Sequence, residues 1–233
     1  RELAAATGPN AAVPRRCLNT LLQLGYVAQH GRRFLLRPEV LVFGSAFLAS
    51  MNMEEVAAPH LQAVRDETGD SSSMAVLSGH DILYIAHVST NRRIRLGAGV
   101  GTRFPAYATS LGKVLLAFEE EDRLAAYLDR VELARLTEHT ITSAKLLRDR
   151  LREARSRGYA SAQDELDYGI VSVAVPVFDK DRGIAAAINC STSTTRISRH
   201  ELVESRVPLL QRAAREIQDS LRRWPQLLHS LRP

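Results

Sequence analysis

The first forty residues combine two spacings of apolar positions, and each spacing predicts a different element. Residues 1–7 have helical spacing and are followed by Gly8, a residue that commonly ends a helix. Further apolar residues recur three and four positions apart, which predicts a second helix that begins at Asn10 and ends at Gly25. Pro14 falls in the first turn of this helix, so we expect an irregular start. The face that we expect to be buried consists of Val13, Cys17, Leu18, Leu21 and Leu22.

A hairpin is predicted directly after the second helix. Two short apolar runs, residues 26–29 and 34–36, flank a turn that contains Gly31. Helix, turn, helix and hairpin in this order are typical of a winged helix-turn-helix, in which the second helix enters the DNA major groove and the wing contacts phosphate or the minor groove. Polar side chains suited to these contacts lie opposite the apolar face of the helix and near the hairpin tip. The residues that we expect to bind DNA are Arg15, Arg16, Asn19, Arg32 and Arg33.

The remaining chain mixes helical and strand-like patterns. Helical spacing over residues 38–49, with a bend expected at Gly44 and Ser45, is followed by a helix over residues 54–67 that ends at Gly69. Further helices are expected at residues 110–119, 122–130, 144–157 and 199–223. Strands are expected at residues 74–77, 82–88, 159–163, 170–178 and 183–190. This grouping predicts a mixed α/β fold class of the α+β type, with an antiparallel sheet and helices on its faces.

Charge is concentrated at the start of the chain. The 233 residues carry a net charge of +5, and residues 1–40 hold six basic and two acidic side chains, against 25 basic and 24 acidic in the remainder. An arginine-rich segment on a nearly neutral body fits contact with a polyanion, because neutralising phosphates releases counterions. A solvated cationic surface would carry the same charge, so charge alone leaves both interpretations open.

Other functional classes find little support in the sequence. The longest apolar runs fall short of the roughly 18 residues that a membrane span requires, and no signal peptide opens the chain, so we expect a cytoplasmic protein. Cys17 and Cys190 lie far apart in apolar stretches, which predicts two buried core residues. Nucleophile-elbow, phosphate-loop and dinucleotide motifs are absent, and we interpret the acidic cluster at residues 164–167 as a solvated loop. We therefore expect no enzyme, no cofactor and no metal site.

Two polar clusters are candidates for binding a small acid. Thr109 and Ser110 precede an apolar helix whose free N–H groups suit a carboxylate, although simple helix capping would use the same residues. Asn189 and Ser191 share one face of a predicted strand. Tyr107 suits an aromatic acid, because its side chain can stack on a ring or form a hydrogen bond with it. Arg93, Arg95 and Arg103 could each pair with a carboxylate, although solvated arginines would show the same pattern, and Arg95 is the candidate that we retain.

Several segments resemble the IclR family of bacterial transcription regulators. Residues 1–8, 15–21 and 24–27 resemble the DNA-binding domain of that family. Residues 105–117, PAYATSLGKVLLA, and residues 158–176 resemble the two most recognisable segments of its effector-binding domain. Within the family, the amino-acid sequence of these segments is most similar to the branch that includes PcaR, PcaU and PobR, which regulate catabolism of aromatic acids.

The resemblance implies an order of domains. It places a winged helix-turn-helix at residues 1–37, a linker helix at residues 38–53 and a GAF-like effector-binding domain at residues 54–233. Family members have a helix before the position of Arg1, which implies that the first helix of the winged domain is missing here. Residues 11–14, AAVP, stand where the family usually has Ser, Thr or Arg, which shifts the expected base contacts to the polar residues that follow.

The resemblance also implies an effector pocket. In the family, the positions that match Asn189 and Ser191 line this pocket, and Ala162 stands where a polar pocket residue is common, which indicates a different or less polar effector. The opposing wall would consist of Leu96, Ser110 and Leu111.

These features together predict a ligand-responsive DNA-binding transcription regulator that controls catabolism of aromatic or related organic acids. We expect a homodimer or a dimer of dimers that binds palindromic operator DNA and takes a small organic acid as effector. A small-molecule-binding module or scaffold without DNA-binding activity is the alternative, because such a protein would share the fold.

Overall fold

The computed structural model describes residues 12–50, 53–90, 97–179, 181 and 183–223. The chain divides into two compact units, residues 1–51 and residues 52–233. The helix predicted over residues 1–7 and the predicted cap at Asn10 lie outside the described residues.

The first unit contains the predicted helix and hairpin. Helix α1 (Ala12–Gln23) has Pro14 in its first turn, where the missing N–H removes no internal hydrogen bond. Strands β1 (Val27–His30) and β2 (Arg33–Leu36) pair antiparallel, which confirms the hairpin. Gly31 takes a positive φ of 59° in the two-residue turn between them, a conformation that suits glycine at the first turn position.

The apolar face of α1 is less buried than we predicted. Pro14 is buried and Leu18, Leu21 and Leu22 are half-buried, but Cys17 is exposed and Val13 is 47% exposed. Among the described residues α1 contacts β1 of the hairpin, but this contact leaves Val13 and Cys17 exposed, so the prediction of burial is wrong for these two residues.

A 3-10 helix (Pro38–Val40) and helix α2 (Leu41–Ser50) complete the first unit as described. The bend expected at Gly44 and Ser45 is absent, because a glycine inside a helix costs about 1 kcal/mol and does not by itself break the helix. Tyr26 contacts the ring of Phe43 with centroids 4.7 Å apart.

The second unit begins with two helices where one was predicted. Helix α3 (Met53–Val56) and helix α4 (Ala58–Thr68) are separated at Ala57. Pro59 accounts for the break, because proline lacks an N–H and its ring clashes with the carbonyl group four residues earlier. Helix α4 ends, as predicted, at Gly69, which has a φ of 69°.

A six-stranded antiparallel sheet forms the centre of the second unit. Its strands lie in the order β5, β4, β3, β8, β7, β6. They are β3 (Ser71–Ser78), β4 (Asp81–Val88), β5 (Arg103–Pro105), β6 (Ala160–Gln163), β7 (Ile170–Phe178) and β8 (Ile184–Ser193). The predicted mixed class with an antiparallel sheet is confirmed, whereas the short strand β5 was not predicted.

Helices cover both faces of this sheet. They are α5 (Ser110–Phe118), α6 (Glu121–Arg130), α7 (Ala144–Arg157) and α8 (Arg199–Arg222), close to the predicted bounds. Alanines on the sheet, among them Ala75, Ala174 and Ala187, join one core cluster with α5 and α7. Their neighbours in sequence point to the opposite face, where α4 and α8 contact the sheet. Small side chains on the first face let α5 approach the strands closely.

A buried carboxylate joins the start of β3 to the end of β8 and to α8. The side chain of Asp70 is fully buried, accepts a hydrogen bond from Arg206 Nε at 3.0 Å and pairs with Arg196. Cys190 is buried close by, and burial, reinforced by the charge of Asp70, raises the pKa of its thiol to about 12. The prediction that Cys190 is a core residue is confirmed.

No helix in the described part of the chain is long and apolar enough to cross a membrane.

Candidate functional site: a cavity at the start of helix α5

The start of α5 is held in place by tight local packing. A 3-10 helix (Ala106–Ala108) leads into Thr109, whose hydroxyl accepts the N–H of Gly112 at 3.0 Å and caps α5. Gly112 lies against the backbone of Ala106, where a Cβ atom would come within 2.1 Å of the carbonyl oxygen. Helix geometry leaves the N–H groups of Ser110 and Leu111 without partners inside α5, and these residues are fully buried.

A small cavity lies between the start of α5 and the sheet. Ser110 and Leu111 line it from α5, Asn189 and Ser191 from β8, and Glu165 from the loop after β6. Its volume is about 30 Å³, enough for one or two water molecules and far below the roughly 300 Å³ at which ligand pockets begin. In this conformation the cavity is therefore too small for an aromatic acid.

Three polar atoms in the wall of this cavity have no hydrogen-bond partner. Among the residues that the structure describes, they are the buried side-chain atoms left unpaired: Ser110 Oγ, Glu165 Oε2 and Asn189 Oδ1. A buried polar atom without a partner costs about 1–3 kcal/mol, so their convergence on one space points to a ligand that would pair with them. The carboxylate and amide oxygens accept hydrogen bonds, whereas the hydroxyl can donate or accept.

The second oxygen of Glu165 is held by a buried lysine. Lys113 of α5 pairs with Glu165 Oε1, and the two side chains are 5% and 10% exposed. Burial lowers the pKa of Lys113, while the charge of Glu165 acts in the opposite direction. The loop is anchored further by Thr140, whose hydroxyl donates to the carbonyl oxygen of Glu165 at 2.7 Å. The interpretation of this acidic cluster as a solvated loop is therefore wrong for Glu165.

The cavity brings together four of the seven residues predicted to bind an effector. These four are Ser110, Leu111, Asn189 and Ser191, and Ala162 lines the cavity with them. Tyr107 does not line it, because its ring packs in the core and its hydroxyl donates to the carbonyl oxygen of Ala134 at 2.9 Å. The predicted residues Arg95 and Leu96 lie outside the described residues.

Sequence reasoning missed the paired residues Lys113 and Glu165. A lysine inside the apolar helix SLGKVLLAF was the available signal, because a buried lysine requires a carboxylate partner.

Among the described residues, no cluster of three or more His, Cys, Asp or Glu side chains is arranged to hold a metal ion.

The residues predicted to bind DNA are exposed in the first unit. Arg15, Arg16 and Asn19 lie on α1, Arg32 in the hairpin turn and Arg33 at the start of β2. Residues 12–50 contain five arginines and a single acidic residue, Glu39, which pairs with Arg37 at 3.2 Å. The four remaining guanidinium groups have no ion pair within the described part of this unit.

Known proteins match both the sequence and the fold. Residues 45–219 match the family described as bacterial transcriptional regulator IclR, C-terminal. The Pca regulon regulatory protein of Pseudomonas putida is 40% identical over 210 residues, which cover 90% of this chain and 72% of that protein. The structure of Thermotoga maritima IclR has a TM-score of 0.74 at 28% identity, with 94% of this chain and 89% of that chain covered.

A ligand complex is among the similar structures. It is the inducer-binding domain of a double mutant of the PobR transcription factor from Acinetobacter, bound to 3-hydroxybenzoic acid. Its TM-score is 0.67 at 30% identity, and the match covers 70% of this chain and 96% of that chain.

The chain belongs to the IclR family of bacterial transcriptional regulators. It is a ligand-responsive, DNA-binding transcription regulator and not an enzyme, as the sequence predicted. The similarity to the Pca and PobR regulators confirms the predicted branch of the family.

Proposed function

We propose that this regulator controls catabolism of a hydroxylated aromatic acid and that the acid binds in the cavity at the start of α5. The observation that carries the proposal is the convergence of three unpaired buried atoms, Ser110 Oγ, Glu165 Oε2 and Asn189 Oδ1, on that cavity. The relatives named for the Pca regulon and the PobR domain bound to 3-hydroxybenzoic acid support the same ligand class.

The chemistry of the wall fits both ends of a hydroxybenzoate. Its carboxylate would accept hydrogen bonds from the hydroxyl of Ser110 and from the free N–H groups at the positive end of α5. Its phenolic hydroxyl would donate to Glu165 Oε2 or to Asn189 Oδ1. Apolar residues that line the same space, among them Tyr84, Leu111, Leu166 and Ile170, would contact the ring.

The small cavity volume bears on how the acid would act. Because about 30 Å³ cannot hold an aromatic acid, binding requires a conformation in which the cavity is wider. A ligand that binds only the wider conformation shifts the population towards it, which is the basis of a ligand-dependent switch.

The DNA-binding part of the proposal rests on the exposed arginines of the first unit. Arg15, Arg16 and Asn19 would contact the major groove from α1, and Arg32 and Arg33 would contact phosphates from the hairpin. We further propose the domain order given above, with a homodimer or dimer of dimers on a palindromic operator, since two-fold symmetry of protein and DNA go together.

Isothermal titration calorimetry tests the effector site. We expect 3-hydroxybenzoate, 4-hydroxybenzoate or protocatechuate to bind more tightly than benzoate, because only the hydroxylated acids have a phenolic hydroxyl that can donate to an unpaired acceptor. Ser110→Ala and Asn189→Ala should each weaken binding about tenfold, and the control Ser193→Ala, which alters β8 beyond the cavity, should not. Failure of all three hydroxylated acids to bind would refute the proposed ligand class.

Binding of duplex DNA at increasing salt tests the first unit. We expect the affinity to fall steeply with salt, and replacement of Arg32 and Arg33 by alanine to reduce the slope of log K against log salt by about two. The control Arg37→Ala removes an arginine that is already paired with Glu39 and should change the slope less. An affinity that does not respond to salt would refute the proposed phosphate contacts. No binding of duplex DNA even at low salt would favour the alternative of a binding module without DNA-binding activity.

A further inference from the structure

A second concave site shares Glu165 with the cavity at the start of α5 and is also lined by Lys113. It is an open groove of about 440 Å³, here called the cationic groove. Lys113 and Glu165 line it from the interior, α7 contributes Arg150 and Arg157, and the first turn of α8 contributes Arg199. Its volume lies within the range of small-molecule sites, unlike that of the cavity at the start of α5, here called the effector cavity.

The charges in the cationic groove are unbalanced. Four cationic side chains line it and two carboxylates, Glu153 and Glu165, oppose them, so the net charge is about +2 with neutral histidines. Glu153 already forms ion pairs with both Arg150 at 3.0 Å and Arg157 at 2.8 Å. Arg199 has no ion pair among the described residues. The groove therefore holds more cationic donors than its own carboxylates can satisfy.

Several features favour binding of a small ligand as the role of the cationic side chains that line the groove. Ser198 and Glu201 form a capping box at the start of α8, which already pairs two N–H groups of that helix end, those of Ser198 and Glu201. The side chain of Arg199 is an additional donor at this position. Arg150 and Arg199 both lie close enough to Lys113 to lower its pKa further. Ile141 and Val203 add apolar wall between the charges.

We propose that the cationic groove is a second ligand site, which binds a small dianion such as a dicarboxylate or a phosphorylated metabolite, and that the Lys113–Glu165 pair couples it to the effector cavity. Two planar guanidinium groups and an ammonium group suit the paired oxygens of such a ligand. The coupling rests on the proposed function, because it requires an effector in the cavity at the start of α5.

The shared ion pair determines whether a ligand in the groove strengthens or weakens effector binding. A dianion in the groove competes with Glu165 for Lys113, and a Glu165 that loses its cation adds negative charge to the effector cavity. Added negative charge repels an acidic effector, so occupation of the groove weakens effector binding. Linkage requires the effector to weaken binding of the dianion by the same factor.

Calorimetry with pyrophosphate and with succinate as separate probes tests the site in the full chain. We expect at least one of them to bind the wild type, and acetate, a monoanion, to bind much more weakly. The double variant Arg150→Ala/Arg199→Ala should lose at least tenfold in affinity for that probe. The control Arg152→Ala/Arg215→Ala removes the same charge from exposed positions of α7 and α8 outside the groove and should keep wild-type affinity.

The outcomes separate this site from the effector site. Equal affinity of both double variants for the probe, or no binding of either probe to the wild type, would overturn the groove as a site. With the groove saturated, we expect the affinity for the hydroxybenzoate to fall at least fivefold, and an unchanged or higher affinity would overturn the coupling. If no hydroxybenzoate binds even without the probe, the proposed function fails, while binding of the probe still reports on the groove independently.

Discussion

Gly112 illustrates how a single residue positions the cavity at the start of α5. A Cβ atom built on it would lie 2.1 Å from the carbonyl oxygen and 2.4 Å from the Cα of Ala106, which are backbone atoms that cannot move aside. The missing side chain lets α5 start directly against the preceding 3-10 helix. This contact fixes where Thr109 caps α5 and where Ser110 meets the cavity.

Gly112→Ala should destabilise the second unit by about 3 kcal/mol, because the added methyl group forces the two helices apart in a packed core. Unfolding in urea, followed by circular dichroism, measures the change. Gly44→Ala is the matched control, since it adds the same group in α2 where nothing lies within 4 Å, and it should stabilise or leave stability unchanged. Equal effects of the two substitutions would contradict this role of Gly112.

Residue-level chemistry was predictable from sequence only where it is local. The cap position of Thr109 and the shared strand face of Asn189 and Ser191 follow from spacing along the chain, and the structure places the latter two together on the cavity. The burial of Glu165 was not predictable in this way, because its partner Lys113 is 52 residues away in sequence. Tyr107 has the right chemistry for a pocket, but its hydroxyl is used by the carbonyl oxygen of Ala134.

Asp70 joins three elements of the second unit. It precedes β3 and pairs with Arg196, which follows β8, and with Arg206 of α8. Its carboxylate is fully buried, while the side chains of Arg196 and Arg206 are 28% and 17% exposed. Loss of the carboxylate charge would leave both guanidinium groups partly buried without a counter-ion.

Asp70→Asn should lower the free energy of unfolding by about 2–4 kcal/mol, because breaking one side of a buried ion pair leaves uncompensated charge. Thermal or urea unfolding measures it. Asp66→Asn provides the control: its carboxylate is 64% exposed in a pair with Arg65, so the change should stay below about 1 kcal/mol. A similarly small decrease in the free energy of unfolding for both variants would show that the ion pairs of Asp70 do not stabilise the second unit.

At the element level, regular spacing predicted most helices and strands of the described chain. The failures have physical causes: Pro59 divides one predicted helix, Gly44 does not bend another, and β5 has three residues, too few to establish a period. The order of strands in the sheet depends on pairing between distant segments, such as β3 with β8, which no local spacing reveals.

For the whole molecule, the sequence predicted that the start of the chain binds DNA and that the remainder binds a small-molecule effector. Membership of the IclR family supports this prediction. Cationic residues are concentrated at the start of the chain, whereas the second unit encloses a cavity with unpaired polar atoms. A ligand-responsive regulator requires that occupation of that cavity changes the affinity for DNA. Such coupling amounts typically to a factor of five or more.

The most direct test of the account measures binding to a fluorescent duplex, selected from a random pool for tight binding, with and without the hydroxybenzoate that binds best. We expect the acid to change the DNA dissociation constant of the wild type at least fivefold and to leave that of Ser110→Ala/Asn189→Ala unchanged at the same concentration. This expectation would be contradicted by a DNA affinity that the bound acid does not alter, or by an equal shift in the double variant.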